Sequence, residues 1–439
     1  MIFWLSSALA LLQGGQAMTL QEAVDYAVRH SFSVQVAKSN IDKAGFTVQA
    51  AKGALGPSVD VSASATRSDT KTSGGSGESG SFAGANETKQ LQLSASMPID
   101  ISGNIRRSIS AQGFAYEASK ANLDAEINLV KSRVRAAYFA VLQAQALEQV
   151  YAETLANNQD RLTNTQQLLR AGVVAKVNVI NADTQVSRAK SDLIAAQNRL
   201  TLAKNSFNNT LARPIDTPVD LSEVQEVPLS NFDPSKLEKY AISSRPEIRS
   251  LAFTIQALEM VREAVKKGQA PNLNLSLTNT NSYFGSGFGN RSNGLSGGAF
   301  LNFNLYDSGV IRARAKAALE DENQARFNLE QLTLSVTLDV QQAITNLVDS
   351  NSRLEVATKQ VELAKENYRL AMVRYKAGEG IQLETIDAQT ELTRAQVGLV
   401  TARYDYLTAW ADLQKAIGSD DLEAVSAPKT EPHEEGIKQ

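Results

Sequence analysis

The segment Tyr375-Lys376-Ala377-Gly378-Glu379-Gly380-Ile381 separates two long helical patterns, and its glycines are typical of a sharp turn. A second segment, Leu169-Arg170-Ala171-Gly172-Val173-Val174-Ala175, separates an equally long pair 206 residues earlier. The match continues downstream, where Asn181-Ala182 aligns with Asp387-Ala388. The sequence therefore predicts two copies of a helical hairpin, each with a glycine at its turn.

The helices that lead into these turns are predicted to be unusually long. No proline occurs in residues 105–171 or 310–377, and at 1.5 Å per residue each helix would extend about 100 Å. Apolar residues and alanines recur every seven positions in the first of them, which is typical of coiled-coil packing. The return helices are predicted at about 177–211 and 382–417.

A shorter helix and two strands are predicted before each long hairpin. The helices are expected at 19–55, where Thr19 and Glu22 have the spacing of a capping box, and at 237–270. Alternating apolar and polar residues then predict strands at 58–66, 90–97, 273–278 and 301–305. The Gly-, Ser- and Asn-rich segments 68–89 and 285–293 are predicted loops. Gly285–Gly289 leads into a strand rather than a helix, which argues against a nucleotide site.

These elements predict a duplicated chain. The predicted segments are a signal peptide at 1–17, a first repeat at 18–212, a proline-rich linker at 213–234, a second repeat at 235–418 and a mobile tail at 419–439. The first repeat contains a β-hairpin at 58–100 and the helical hairpin at 103–211; the second contains a β-hairpin at 272–306 and the helical hairpin at 309–417.

Composition excludes several classes of function. The formal net charge is −3, so nucleic acid is not an expected partner. The chain has no cysteine and two histidines, His30 and His433, and neither histidine belongs to a recognisable catalytic set. Glu362 and Glu366 lack the histidine that a helical metal site would need. We therefore expect no enzyme activity, metal or cofactor.

Four strands with one apolar face would leave two sheet edges open, and assembly with further copies of the chain removes them. Two chains would supply eight strands and three would supply twelve. Four helical columns per chain, about 10 Å apart, leave a wider interior with three chains, so three are favoured and two remain possible.

The order helix, strand, strand, long helix, glycine turn, helix resembles the TolC-like outer-membrane efflux factor family over nearly the whole chain. The resemblance implies an α+β membrane protein of the Gram-negative outer membrane: a homotrimer with a shared 12-stranded barrel in the lipid, a mixed equatorial region and a helical barrel in the periplasm. It also implies a passive exit duct of a tripartite efflux or type I secretion system. A periplasmic adaptor and an inner-membrane pump of the RND, ABC or MFS type would deliver the substrate.

The resemblance also assigns roles near the turns. Two groups of residues are expected to contact the adaptor: Gly172, Val173, Val174 and Ala175, and Gly378, Glu379, Gly380 and Ile381. Five residues are expected at the entrance: Tyr375, Glu384, Asp387, Asn178 and Asn181. Glu384 and Asp387, three residues apart on one helix face, would form a ring of six carboxylates in a trimer and attract cations. The alternative is an exposed acidic patch.

Two departures from the family pattern concern the entrance. Gly380 occupies the place of an arginine that some members use as a latch, and Asn178 that of its aspartate partner. The entrance is therefore expected to be held shut in another way. The rival interpretation of the whole chain is a structural periplasmic coiled-coil protein without channel activity. Drugs, metal ions and polypeptides all remain open as exported substrates.

Overall fold

The computed structural model describes residues 17–71, 83–224, 232–284 and 290–420. The order of elements, two helices, two strands and two long helices, occurs twice. The elements of the first half are α1 (Leu20–His30), α2 (Phe32–Gly53), β1 (Ser58–Lys71), β2 (Ala83–Ile99), α3 (Asn104–Arg170) and α4 (Lys176–Thr210). Those of the second half are α5 (Pro234–Ser244), α6 (Pro246–Lys266), β3 (Asn272–Phe284), β4 (Asn290–Asn302), α7 (Val310–Lys376) and α8 (Gln382–Ile417). None of the described helices is both long and apolar enough to cross a membrane.

The chain forms two compact units. One comprises Ser39–Ala121 and Arg249–Glu330 and contains the sheet; the other comprises the remaining described residues and contains both glycine turns. The predicted signal peptide lies outside the described residues apart from Ala17, and so do the glycine-rich segment 285–289 and most of the predicted tail.

The short helices correct one prediction. The capping box is confirmed, because the Thr19 amide donates to the Glu22 carboxylate (2.8 Å) and the Glu22 amide to the Thr19 hydroxyl (3.3 Å). The single helices predicted at 19–55 and 237–270 are each two helices, broken at Ser31 and Arg245, whose ψ angles of 129° and 125° are extended. Arg245 is followed by Pro246, which disfavours the helical conformation in the residue before it.

A capping carboxylate precedes each long helix, and the two aspartates lie 207 positions apart in the sequence. Asp100 accepts hydrogen bonds from the amides of Ile105 (3.3 Å) and Arg106 (3.0 Å). Asp307 accepts from the amides of Ile311 (2.7 Å) and Gly309 (3.0 Å), and the bond from Ile311 contributes most to lowering the pKa of Asp307. Both carboxylates satisfy amides that a helix start leaves unpaired. The 67-residue lengths of α3 and α7 confirm the predicted long helices.

The four strands form one antiparallel sheet in the order β1-β2-β3-β4. Most of the strands are longer than predicted: residues 68–71, 83–89 and 290–293, expected as loop, belong to them. Main-chain hydrogen bonds hold these ends together, and such bonds require no alternation of side chains. At the other end β4 stops at Asn302, so the strand predicted over 301–305 is wrong beyond that residue.

The strand register places apolar side chains of all four strands on one face. Val59 lies opposite Ala95, and Ala95 opposite Leu277. The exposed apolar side chains of this face are Val59, Val61, Leu91, Leu93, Met97, Leu275, Leu277, Leu295 and Leu301. An apolar patch of this extent normally marks a surface that meets lipid or another protein.

A basic row lies on the same face near the hairpin ends of the strands. Lys89 and Arg291 flank Tyr283 in the register, and the Arg291 guanidinium is 5.5 Å from the centre of the Tyr283 ring. The apolar face is therefore bordered by an aromatic and two cationic side chains near the hairpin ends of the strands.

In the unit that contains the glycine turns, the largest group of buried apolar residues packs against part of the segment between the two repeats. The hydroxyl of buried Tyr138 on α3 lies 2.8 Å and 2.7 Å from the carbonyl oxygens of Met18 and Ser222. Burial raises the pKa of Tyr138 to about 12. Met18 also forms a parallel β-bridge with Leu221. Leu221 and Ser222 of the predicted linker thus pack against the start of the first repeat.

The first two residues of the predicted mobile tail, Ser419 and Asp420, follow α8 in the described structure. Gly418 ends the helix in the left-handed region, at φ 74°. Asp420 then pairs with Lys131 (2.6 Å) and Arg135 (2.7 Å) on α3. These ion pairs tie the end of the second helical hairpin to the first.

Candidate functional site

The two turns have the same main-chain geometry. Gly172 and Gly378 adopt φ angles of 74° and 77°. The amide of Val173 donates to the carbonyl of Leu168 (2.9 Å), and the amide of Glu379 to that of Arg374 (2.9 Å). These are the bonds of a Schellman cap, in which glycine takes the left-handed position without the penalty of a Cβ atom.

The residues predicted to contact an adaptor lie at these turns. Val173, Ala175, Glu379 and Ile381 are exposed, and Val174 is half-buried. Ala175 and Ile381 are the N-cap residues of α4 and α8, the helices that leave the turns, and neither forms a side-chain capping hydrogen bond. The first amides of α4 and α8 therefore receive no side-chain cap from Ala175 or Ile381. They are available to bind water or a partner.

The two predicted gate carboxylates have different surroundings. Glu384 is exposed and faces Arg374 across its own turn, with 3.9 Å between carboxylate and guanidinium. Asp387 is exposed and lines a groove between α3, α4 and α8. Sequence reasoning missed Arg374, although a basic residue just before a helix turn and an acidic residue just after it could have indicated the pair.

The two departures from the family pattern have structural counterparts. A Cβ atom on Gly380 would lie 3.1 Å from the Tyr375 amide nitrogen and 3.3 Å from the Arg374 carbonyl carbon, so a side chain there would strain the turn. The hairpins are linked nearby, where the Gln382 side-chain amide donates to the Asn178 main-chain carbonyl (3.2 Å). The hydroxyl of Tyr375 is buried without a hydrogen-bond partner in the described chain, and Asn181 is exposed.

Two helices carry apolar stripes that nothing in the described chain covers. On α4 the exposed residues are Val177, Ile180, Ile194 and Leu202; on α7 they are Phe327, Leu334, Leu338, Val348, Val356, Leu363, Leu370 and Val373. Many of the spacings are seven residues or close to it, which is the spacing of a coiled-coil seam. Each stripe is thus suited to pack against another long helix.

These features indicate a class of protein. A sheet with one broad apolar face and long helices with uncovered coiled-coil stripes are properties of an assembling membrane conduit.

The comparisons with known proteins agree. A family model described as outer membrane efflux protein matches residues 23–213 and 238–419. The probable efflux pump outer membrane protein TtgC of Pseudomonas putida is 25% identical over 412 residues, which cover 91% of this chain and 82% of TtgC. The outer membrane efflux protein BepC of Brucella suis is 24% identical and covers 76% of this chain and 74% of its own. The crystal structure of the Campylobacter jejuni CmeC outer membrane channel has a TM-score of 0.78 at 18% identity, covering 91% of this chain and 85% of its own.

The chain belongs to the outer membrane efflux protein family. It is therefore an outer-membrane component of efflux rather than an enzyme, and its location is the Gram-negative outer membrane with an extension into the periplasm. Family members in tripartite pumps generally form trimers and work with an adaptor and an inner-membrane pump. Because the chain belongs to this family, the alternative of a structural periplasmic coiled-coil protein is excluded.

Proposed function

We propose that three copies of this chain form a closed exit duct in which α4 of each copy packs against α7 of the next. The observation that carries this proposal is the match between the two uncovered stripes. Val177 and Val373 each lie five residues from their turn glycines, Gly172 and Gly378. Further pairs lie at equal distances of 8, 22 and 30 residues from those glycines: Ile180 with Leu370, Ile194 with Val356, and Leu202 with Val348.

The equal spacing matters because α4 runs away from its turn and α7 runs towards its own. The side chain of Gln382 donates a hydrogen bond to the main-chain carbonyl of Asn178. Asn178 lies six residues after Gly172, and Gln382 lies four residues after Gly378. The two turns are therefore at nearly the same level along the helix axes. Apolar residues equally far from the turns then meet when the outer helices of neighbouring copies pack side by side. A stripe on one edge and its match on the other give a head-to-tail interface, which closes into a ring.

The sheet supports the same assembly. Its outer strands, β1 and β4, each have one paired neighbour in the described sheet. Pairing β1 of one copy with β4 of the next would close three sheets into a ring of twelve strands, an even number typical of outer-membrane barrels. The apolar face would then meet lipid, with Tyr283, Lys89 and Arg291 at the outer boundary, where aromatic and cationic side chains are favourable.

The turns form the periplasmic entrance in this proposal. Glu384 and Asp387 from three copies would place six carboxylates around the opening, and the exposed turn residues Val173 and Ile381 would contact the adaptor. Closure would depend on hairpin contacts such as Gln382 with Asn178 instead of an arginine–aspartate latch. The substrate would pass without chemical change.

Single-channel recording tests this function. The full chain, purified in detergent and inserted into a planar lipid bilayer, is expected to form discrete, cation-preferring conductance steps. An efflux assay in cells that lack the chain, complemented with it, is expected to restore export by the matching pump. Failure to form pores from a trimeric, folded preparation would contradict the proposal.

A further inference from the structure

The groove between α3, α4 and α8 has the composition of a ligand site. It encloses about 580 Å³ and has polar and apolar walls. Its charged lining residues are Arg161, Arg188, Asp192, Asp387 and Arg394. Two further lining residues, Thr154 on α3 and Thr393 on α8, have their hydroxyls 3.2 Å apart. A groove of this volume accommodates a small molecule.

Arg161 is the decisive residue. Its relative exposure is 8%, and its side-chain Nε and Nη2 atoms are buried without a hydrogen-bond partner in the described chain. These two nitrogens lie on one edge of the planar guanidinium and donate in parallel, the arrangement that binds a carboxylate through both of its oxygens. A buried charge without such a partner is costly, so the edge favours an anion.

A second buried group, the side-chain amide of Gln389, indicates what else the ligand carries. Gln389 on α8 lines the same groove with a relative exposure of 4%, and its Oε1 atom also lacks a donor. An amide oxygen accepts a hydrogen bond and does not donate one. The groove therefore offers a cationic fork for a carboxylate and a neutral acceptor for an N–H or O–H group.

The carboxylates of the described residues leave this edge of Arg161 without an ion pair. Asp192 and Asp387 line the groove, yet neither forms an ion pair with Arg161 in the described structure. Arg394 is paired with Glu391 on its own helix. Arg161 thus lines the groove with two donor nitrogens, Nε and Nη2, that are buried and have no acceptor in the described structure.

We propose that this groove binds a small organic acid that carries a hydroxyl or amino donor beside its carboxylate. The carboxylate would bind the Nε–Nη2 edge of Arg161, and the donor would bind Oε1 of Gln389. Because the groove lies within one copy of the chain, binding requires neither the trimer nor the pore.

Titration calorimetry on the full chain in detergent tests the site. Glycolate, which has a carboxylate and a hydroxyl, is expected to bind with saturation. Propionate, of similar size but without the donor, is expected to bind several-fold more weakly, because one hydrogen bond contributes about 1 kcal/mol. This comparison needs no variant, so a folding defect cannot obscure it.

Variants then locate the site. Arg161→Lys keeps the charge but loses the planar edge, and is expected to weaken glycolate about tenfold or more. Gln389→Met is expected to remove the preference for glycolate over propionate. Arg353→Lys, an exposed position on α7 paired with Asp349, serves as the control and should bind like the parent. Three results would overturn the proposal: no saturable binding of glycolate, equal binding of glycolate and propionate, or unchanged glycolate binding by Arg161→Lys. Conductance measurements test the duct separately, so the two proposals can fail independently.

Discussion

The first helical hairpin, α3 with α4, and the second, α7 with α8, have the same main chain at their turns and different charges beside them. Both turns are Schellman caps around a left-handed glycine. At positions 206 residues apart, however, the first hairpin has Asn178 and Asn181 where the second has Glu384 and Asp387. Glycine maintains the shared shape, while the flanking side chains are free to differ. At these two matched positions, only the second hairpin carries carboxylates.

The largest expected effect comes from breaking the contact between the hairpins of neighbouring copies. Ile194→Glu on the first hairpin and Val356→Glu on the second would each bury three unpaired carboxylates in a trimer, at a cost of several kcal/mol per site. Both variants are expected to lose the trimer, measured by light scattering in detergent.

A matched control places the same charge away from the stripe. Thr358→Glu lies on α7 at an exposed position and is expected to remain trimeric. If Ile194→Glu and Val356→Glu remained trimeric as well, α4 and α7 would not form the interface.

The next effect concerns ion selectivity. Glu384→Ala/Asp387→Ala makes the second hairpin as uncharged as the first at these positions, and leaves Arg374 without its nearby carboxylate. The preference for cations over anions is expected to fall several-fold, as shown by reversal potentials in a salt gradient. Glu366→Ala removes an exposed carboxylate that pairs with Arg369 farther from the turn, and should leave selectivity unchanged. An unchanged preference in the double variant would assign Glu384 and Asp387 to an acidic patch outside the entrance.

A smaller effect tests whether the turns are truly alike. Gly172→Ala and Gly378→Ala meet no atom within 4 Å of the new Cβ, so each is expected to cost only the backbone penalty of about 1 kcal/mol. Hydrogen exchange of the Val173 and Glu379 amides should therefore accelerate about fivefold in the respective variants. Gly380→Ala, where the backbone contact is 3.1 Å, should disturb the second turn by a different, steric mechanism. Clearly unequal effects of the first two variants would contradict the shared geometry.

The smallest effect concerns the opposite ends of the hairpins, where Asp420 pairs with Lys131 and Arg135. Burial alone would raise the pKa of Asp420, but hydrogen bonds from Lys131 and Arg135 outweigh it and lower the pKa below its ordinary value of 3.8. The stabilisation is therefore present above that value and is lost as pH falls through the lowered pKa.

Because Asp420 is half-exposed, Asp420→Asn is expected to cost about 1 kcal/mol or less at neutral pH. The variant and parent should converge in thermal midpoint once Asp420 is protonated in both the folded and unfolded states. A difference that persisted undiminished below the lowered pKa would show that the carboxylate charge does not supply the stability.

The sequence predicted the features that depend on single strong signals. Absence of proline indicated α3 and α7, and glycine indicated both turns. The break at Arg245, before Pro246, had a signal that the prediction did not use. Ser31 gave only a weak one, because serine is common at helix starts and also occurs elsewhere. The strand ends could not be read from alternation, since polar segments pair through their main chain. The groove around Arg161 was not predictable either, because residues from three helices form it and no local spacing brings them together.

A disulfide engineered between neighbouring copies tests the central claim most directly. The chain has no cysteine, so Ile194→Cys/Val356→Cys introduces the only two thiols. Oxidation is expected to give a covalent trimer on denaturing gels, with no larger species. Ile194→Cys/Leu334→Cys, whose positions lie 22 and 44 residues from their turns, should remain uncrosslinked. Dimers as the largest product, or open ladders beyond three chains, would contradict the closed three-copy duct.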